Sequence, residues 1–162
     1  MTPMMANRFK VTFSQDPPVA NSNTDLCGGA FSEVSGLEAT MEPKVIRQGG
    51  HYRGEVQRVG QVTFATVILK RGVTPANHLW TWFDLLAGKT TSLRLNARVT
   101  HLDFYRDADG NMQEVERFHW DMKNAMPVKF KAATYSGTAT DVGVEELHFV
   151  HEGLRFEVGE TA

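Results

Sequence analysis

Six histidines, one cysteine and a scatter of carboxylates are the side chains from which this chain could build a reactive centre. The histidines are His51, His78, His101, His119, His148 and His151. His148 and His151 come nearest to a ligand pair, but an odd separation on extended chain turns them to opposite faces, so they read as exposed strand histidines. Cys27 stands beside Gly28-Gly29 with no neighbouring histidine or cation to hold a thiolate, and it has no partner for an internal disulfide or a cysteine zinc site. Asp107-Ala108-Asp109-Gly110-Asn111 has the composition of a calcium loop. Its glycine comes too early and its flanks read as strands, so it is a turn. Gly49-Gly50-His51-Tyr52-Arg53-Gly54 combines glycines with a cation, yet it lacks the GK[ST] ending and opens onto no helix, which makes phosphate binding a weak reading. Glu145 and Glu146 are adjacent on a strand and point apart, which excludes a shared carboxylate site. The residues therefore predict no catalytic group, no metal site and no cofactor.

The elements that position these residues are mostly strands. Gly60 to Thr74 is the organising stretch: Val62, Phe64 and Ile68 fall on one face, and Thr63, Val67 and Leu69 on the other. Both faces are apolar from Phe64 to Leu69, which predicts a strand covered on both sides and broken at Gly72. A helix over 75–87 follows, with Thr74 as N-cap, Pro75 in the first position and Gly88 as C-cap. Its apolar stripe is Leu79, Trp82, Phe83 and Leu86. Trp80 lies off that stripe, facing a loop or a neighbouring subunit.

The remaining chain reads as strands around this unit. Arg8–Phe13 alternates cleanly, Gln15–Gly29 is a surface loop, and Ala30–Val34 is a short strand closed by a turn at Ser35-Gly36. Leu37–Arg47 is extended, with Pro43 at an edge or bulge. Gln48–Arg58 is polar and Gly-rich, a projecting loop or hairpin without a core of its own. Leu93 to Phe104 is a strand whose apolar register changes by one near Thr100–His101, the sign of a β-bulge. Phe118, Trp120 and Met122 share a face against Arg117, His119, Asp121 and Lys123; Pro127 is expected to end or kink that strand. A polar loop at Lys131–Gly137, a long strand from Thr138 to Val150 and a tail strand at Leu154–Val158 complete the chain. The sum is a mainly β domain, an antiparallel barrel or sandwich with one packed helix and a projection at about 47–59.

Composition narrows the function. A chain of 162 residues with a net charge of −2 fits one domain, 1–162, with a core over 8–158 and flexible ends at 1–7 and 159–162. That charge argues against nucleic-acid binding through a basic surface. No apolar run is long enough to span a membrane and no secretory leader is legible, so synthesis in the cytoplasm is expected. Long strands, Pro43 at an edge and the Gly-rich projection offer surface for association, because an uncovered sheet edge must be blunted, covered or paired. Closed rings of identical subunits use such edges.

Several segments, in order, resemble the tail-tube protein family of contractile phage tails and of phage-tail-like extracellular injection systems. They are Phe31-Ser32-Glu33-Val34-Ser35-Gly36-Leu37; Arg47-Gln48-Gly49-Gly50; and Leu69-Lys70-Arg71-Gly72-Val73-Thr74 leading to Leu79-Trp80-Thr81-Trp82-Phe83. Trp120 to Lys129 then resembles the family's W-x-x-x-N-A-x-P segment through Trp120, Asn124, Ala125 and Pro127, and Val144-Glu145-Glu146-Leu147 with His151-Glu152-Gly153-Leu154 resembles its last strand. The resemblance spans about Arg8 to Leu154. It departs at Val59-Gly60-Gln61, where many members have Leu-Pro-Gly, and in a longer Pro17–Gly29 loop.

The resemblance implies a barrel like that of the hemolysin-coregulated tube protein of type VI secretion, with the helix outside. It also implies rings of six copies that stack into a hollow tube inside a contractile sheath. The partners it implies are further copies of the chain, sheath subunits, baseplate and initiator proteins, and a tape-measure or cargo protein in the lumen. Arg47, Gln48, Gly49, Gly50, His51, Tyr52, Arg53, Gly54 and Glu55 would contact the next subunit or ring. A tube-initiator ring on the baseplate is the alternative within the same machine. A small-ligand barrel or hydrolase is the alternative from another class, and it lacks a convergent polar constellation.

Overall fold

One strand of twenty residues ties the architecture together: β9 (Met112–Lys131) belongs to both halves of the main sheet. The computed structural model describes residues 8–15, 31–47, 49–50, 54–88 and 93–159. The other elements are β1 (Phe9–Ser14), β2 (Glu33–Ser35), β3 (Ala39–Met41), β4 (Lys44–Ile46), β5 (Val56–Arg58), β6 (Val62–Phe64), β7 (Val67–Gly72), α1 (His78–Ala87), β8 (Leu95–Arg106), β10 (Val144–Val150) and β11 (Gly153–Val158). A seven-stranded antiparallel sheet has the order β1-β8-β9-β10-β7-β2, with β11 also on β9, and it curls into a half-barrel. Two short ladders, β3–β6 and β4–β5, stand apart from it.

Along one edge of β9, β11 covers Phe118–Lys123 and β10 covers Met126–Lys131, so the sheet turns a corner between them. Asn124 sits at this corner with φ 52°, a left-handed conformation that Asn adopts more readily than most side chains. Its amide N–H donates to Asn96 Oδ1 (3.2 Å) and its side chain to Glu152 Oε2 (2.8 Å), while Glu152 N–H donates to the Lys123 carbonyl (2.9 Å). The family segment through Asn124 and Pro127 is therefore the hinge of the curl.

Inside the curl, Val11, Phe13, Ala97, Val99 and Met122 face Val67, Leu69, Leu147 and Phe149, and Leu79 and Trp82 of α1 fill the opening. Trp82 is fully buried, meets Phe13 edge-on at 5.2 Å and donates Nε1–H to the Leu93 carbonyl (3.2 Å), which satisfies its polar handle. Phe83 and Leu86 are half-buried beside it, so the expected helical stripe faces the core. Trp80 is partly exposed and rests on Phe83 and on Phe130 of β9.

Several sequence expectations are corrected. The helix starts at His78, not Pro75, with Asn77 in the cap position and no side-chain cap bond. Thr74 Oγ1 points at the Ala76 carbonyl, and Arg71 Nη2 also donates to that carbonyl (2.7 Å), so residues 74–77 form a bend before the first turn. The stretch from Val62 to Gly72 is two strands, parted at Ala65–Thr66 where β6 leaves the sheet. Within β7 only the Val67, Leu69 and Arg71 face is fully buried. Pro127 does not end its strand. It sits inside β9 opposite Phe149, beside the bulge residue Val128 where the register with β10 slips, a position that tolerates proline within a sheet. The strand expected from Thr138 begins only at Val144, after a turn closed by Ala139 N–H on the Ser136 carbonyl. The short strand expected over Ala30–Val34 is β2, shifted to Glu33–Ser35, and Ala30 lies outside the described residues. His151 is buried between Phe64 and Phe149 and is not an exposed strand histidine.

Other expectations match. The register change in β8 falls at His101/Leu102, with Arg117 as the extra residue on β9. The Asp107–Asn111 turn closes through Asp107 Oδ1, which accepts the N–H groups of Asp109 and Asn111.

Candidate assembly surface

The projection is a two-stranded ribbon built in two steps. β3 pairs with β6 and β4 with β5, and the joint at Glu42-Pro43 and Val59-Gly60-Gln61 is bridged by Glu42 N–H on the Gln61 carbonyl (3.0 Å). Gly60 is required here, because a Cβ would lie 1.6 Å from the Glu42 carbonyl oxygen. At the ribbon's root, Gly36 (φ 87°) is crossed so closely by the Thr66 carbonyl that a Cβ would meet it at 2.1 Å. Leu37 beside it packs on the core, and Ser35 ends β2.

The ribbon buries little of itself. Met41, Val45, Val56, Val59 and Val62 are all exposed, Val59 at 78%. A two-stranded ladder is marginal on its own, and a run of exposed apolar side chains marks a contact surface. Among the predicted interface residues, Arg47 and Glu55 pair across the ribbon (3.3 Å), and Gly49, Gly50 and Gly54 are exposed near its tip, the last two with positive φ. Gln48, His51, Tyr52 and Arg53 lie outside the described residues, as does Cys27.

The other predicted positions hold the body together. Lys70 pairs with Glu33 of β2 (3.1 Å), Gly72 closes β7, Phe31 packs on the core beneath the Arg71 guanidinium, and Trp120 meets Phe156 at a tilt, 5.0 Å between ring centres. Arg71 is buried and its Nε donates to Glu145, its direct cross-strand neighbour. Sequence reasoning separated Glu145 from Glu146 correctly but missed this partner, since the two stand 74 positions apart and no local pattern links them. Glu146 turns to His148 and Lys131 on the opposite face, and the hydrogen bond from His148 holds its carboxyl below the usual range.

Across β1, β8, β9 and β11 the register lays out a continuous polar face of Lys10, Thr12, Arg98, Thr100, His119, Asp121, Arg155 and Glu157. Arg98 forks onto both oxygens of Asp121 (2.6 and 2.9 Å), a bond that raises its own pKa. At the corner the Asn124 amide, followed by Arg94, lowers the pKa of Glu152. β1 pairs with β8 alone and β2 with β7 alone among the described residues, which leaves the far edge of each open. No described helix is long and apolar enough to cross a membrane.

Solved structures with this architecture come from contractile particles. A chain of the anti-feeding prophage (AFP) baseplate, 6-fold symmetrised, superposes with a TM-score of 0.75 at 22% identity, over 98% of this chain and 97% of that one. A chain of the PVC extracellular contractile injection system's extended sheath–tube complex gives 0.71 at 18% identity, covering 96% and 92%. A chain of the AFP tube-terminating cap gives 0.72 at 18%, covering 98% and 93%. At such identities these likenesses establish the fold. No curated protein matches in sequence. The family described as T4-like virus tail tube protein gp19 matches residues 5–155, nearly the whole chain, and this protein belongs to that tail-tube family.

Proposed function

We propose that the chain is an inner-tube subunit of a contractile injection particle or phage tail. Copies close into a ring, and rings stack into a hollow tube that sheath contraction drives through a target envelope. The observation that carries this is the ribbon: an apolar, self-insufficient arm on a tail-tube fold, rooted in the core strand β7. Its chemistry suits docking on the next subunit or ring, with Arg47 through Glu55 at its end. Six copies per ring is the stoichiometry we favour, in keeping with the symmetry of the AFP baseplate whose chain shares the fold. Sheath subunits, a baseplate with its initiator, and a tape-measure or cargo protein are the partners this role requires. The polar face of β1, β8, β9 and β11 suits a water-filled lumen better than a dry interface. The role is structural and has no catalytic step, and the finished particle acts outside the cell that makes it. The initiator reading has no observation of its own.

Negative-stain electron microscopy with light scattering tests the proposal. Hollow rings or stacked tubes are expected. Deleting residues 49–54 should leave a folded monomer that no longer stacks. Normal tubes from that deletion, or a wild-type chain that stays monomeric and fails to add to baseplate rings, would refute it.

A further inference from the structure

His119 is buried in the middle of an otherwise polar sheet face, and its surroundings are those of a metal ligand. The bulge at Arg117 brings Glu116 onto the same face, where its carboxylate accepts the ring's Nδ1–H. In the neutral ring that leaves Nε2 as a lone pair. Nε2 lies 3.4 Å from Asp121 Oδ2 and 3.3 Å from Glu157 Oε2, and it is sealed from solvent with no hydrogen-bond partner among the described residues. Glu157 is the direct cross-strand neighbour of His119 on β11, and Asp121 is two residues further along the same face of β9. Three acceptors thus converge on one point, with no donor within hydrogen-bond reach of Nε2, while Asp121 Oδ2 also takes Arg98 Nη2 (2.9 Å).

We propose that His119 Nε2, Asp121 and Glu157 form a binding site for a divalent ion of the zinc class, with Glu116 fixing the imidazole from behind. The spacing fits. Two ligand atoms each about 2.0–2.1 Å from a tetrahedral ion stand about 3.3–3.4 Å apart, and the two separations from Nε2 match that edge. A charge-assisted hydrogen bond would be shorter. One imidazole nitrogen and two carboxylate oxygens suit zinc or cobalt, and a carboxylate behind the ligating histidine is the usual orienting partner. Arg155 takes Oε1 of Glu157 (2.9 Å), leaving Oε2 for the ion. Arg98 engages both oxygens of Asp121, but each carboxylate oxygen accepts a second partner. Both carboxylates are partly exposed, which gives the ion a path in. Sequence reading could not find the site, because Glu157 joins it only through the β9–β11 register. The proposal stands on these side chains and is independent of the tube role.

The test uses the full chain without a histidine tag, stripped by chelator. Zn²⁺ alone is titrated calorimetrically, and Co²⁺ is followed by visible absorption. One ion per chain is expected. Asp121→Asn and Glu157→Gln should each weaken binding at least about tenfold, and Glu116→Gln by about 10–100-fold. His148→Ala should leave binding unchanged. Circular dichroism checks the fold, and should His119→Ala fail to fold, the partly exposed Glu157→Gln keeps the test readable. Absence of saturable binding overturns the proposal, as it would if a doubly protonated ring fills the gap with its own Nε2–H. Binding that is equally tight in Asp121→Asn and Glu157→Gln overturns it too.

Discussion

Removing one member of the Arg71–Glu145 pair is the sharpest test of how the sheet is held. The Arg71 side chain is 1% exposed and that of Glu145 12%, so either single substitution leaves the other charge stranded away from water. In Glu145→Gln the guanidinium keeps its bond to the Ala76 carbonyl (2.7 Å) and its place over the Phe31 ring but loses its counter-charge. In Arg71→Leu the carboxylate loses its donor, and the bend before α1 loses the contact that fixes Ala76. Breaking a buried pair this way costs about 3–5 kcal/mol. A domain of this size shifts by about 2–4 °C in Tm per kcal/mol, so the expected loss is about 6–20 °C.

The double variant Arg71→Leu/Glu145→Leu carries the argument further. It removes both desolvation penalties and replaces the pair with apolar volume between β7 and β10. It should therefore recover most of the stability lost by either single change. Urea denaturation of the three variants, at concentrations where light scattering shows monomer, gives the coupling energy directly. Single variants that cost less than about 1 kcal/mol would show the pair to be as weak as a surface ion pair. A double variant destabilised by the sum of the two single losses would show no coupling, and either result sinks the reasoning.

Three further outcomes are expected. Gly60→Ala must push the Glu42 carbonyl aside, so the ribbon joint should open while the body keeps its Tm within a few degrees; tubes indistinguishable from wild type by electron microscopy would refute this. Burial lowers the pKa of His151, partly offset by its bond to the Gly153 carbonyl, so the stability tied to its neutral form is complete above the unfolded value of about 6.5 and is lost as pH falls through the folded one. His151→Gln should flatten the urea midpoint between about pH 7 and 5 relative to wild type, and parallel profiles would contradict the assignment. Asn124→Val should destabilise the corner because a β-branched residue is strained at φ 52°, whereas Asn124→Gly should be milder; equal effects of the two would remove the conformational explanation.

What the sequence disclosed follows the range of the physics involved. Leu79, Trp82, Phe83 and Leu86 announce a helix face because the period is local, and Phe9–Ser14 and the Asp107–Asn111 turn are legible for the same reason. The start of α1 was misjudged because Thr74 and Pro75 have the right types, while a buried arginine across the bend claims the carbonyl that decides where the first turn closes. Pro127 reads as a terminator because the bulge beside it, with Val128 as the extra residue of β9, exists only in the register with β10, which lies far along the chain. Only the outer part of the ribbon, 47–59, was legible as a projection, from its polar, Gly-rich composition; the inner ladder of β3 with β6 was not, and the whole is two ladders joined at Gly60. His119, Glu157 and Glu116 were invisible as a group for a simple reason. Two registers and a bulge bring them together, and no spacing in a single sequence encodes that.

The arm and the core are coupled through β7, which gives the buried ion pair a mechanical meaning. The ribbon leaves the sheet at Ala65–Thr66, where Ala65 N–H bonds the Glu38 carbonyl (3.1 Å) and Gly36 lets the Thr66 carbonyl cross β2's exit. The next residues, Val67 and Leu69, are fully buried, and Arg71 ends the same face against Glu145 of β10. If the ribbon docks on a neighbouring ring as proposed, force applied to it would pass first into a strand that is hydrogen-bonded on both sides, by β2 and β10. From β10 it reaches β9, whose continuous backbone spans both halves of the curl. A strand held at one end by Gly36 and at the other by a buried charge pair cannot slip by two residues without exposing Val67 and unpairing Arg71. A tube wall under axial load needs that resistance to sliding. On this reasoning the Arg71–Glu145 single variants should weaken tube stiffness as well as monomer stability, with the double variant restoring stability while leaving β7 freer to shift.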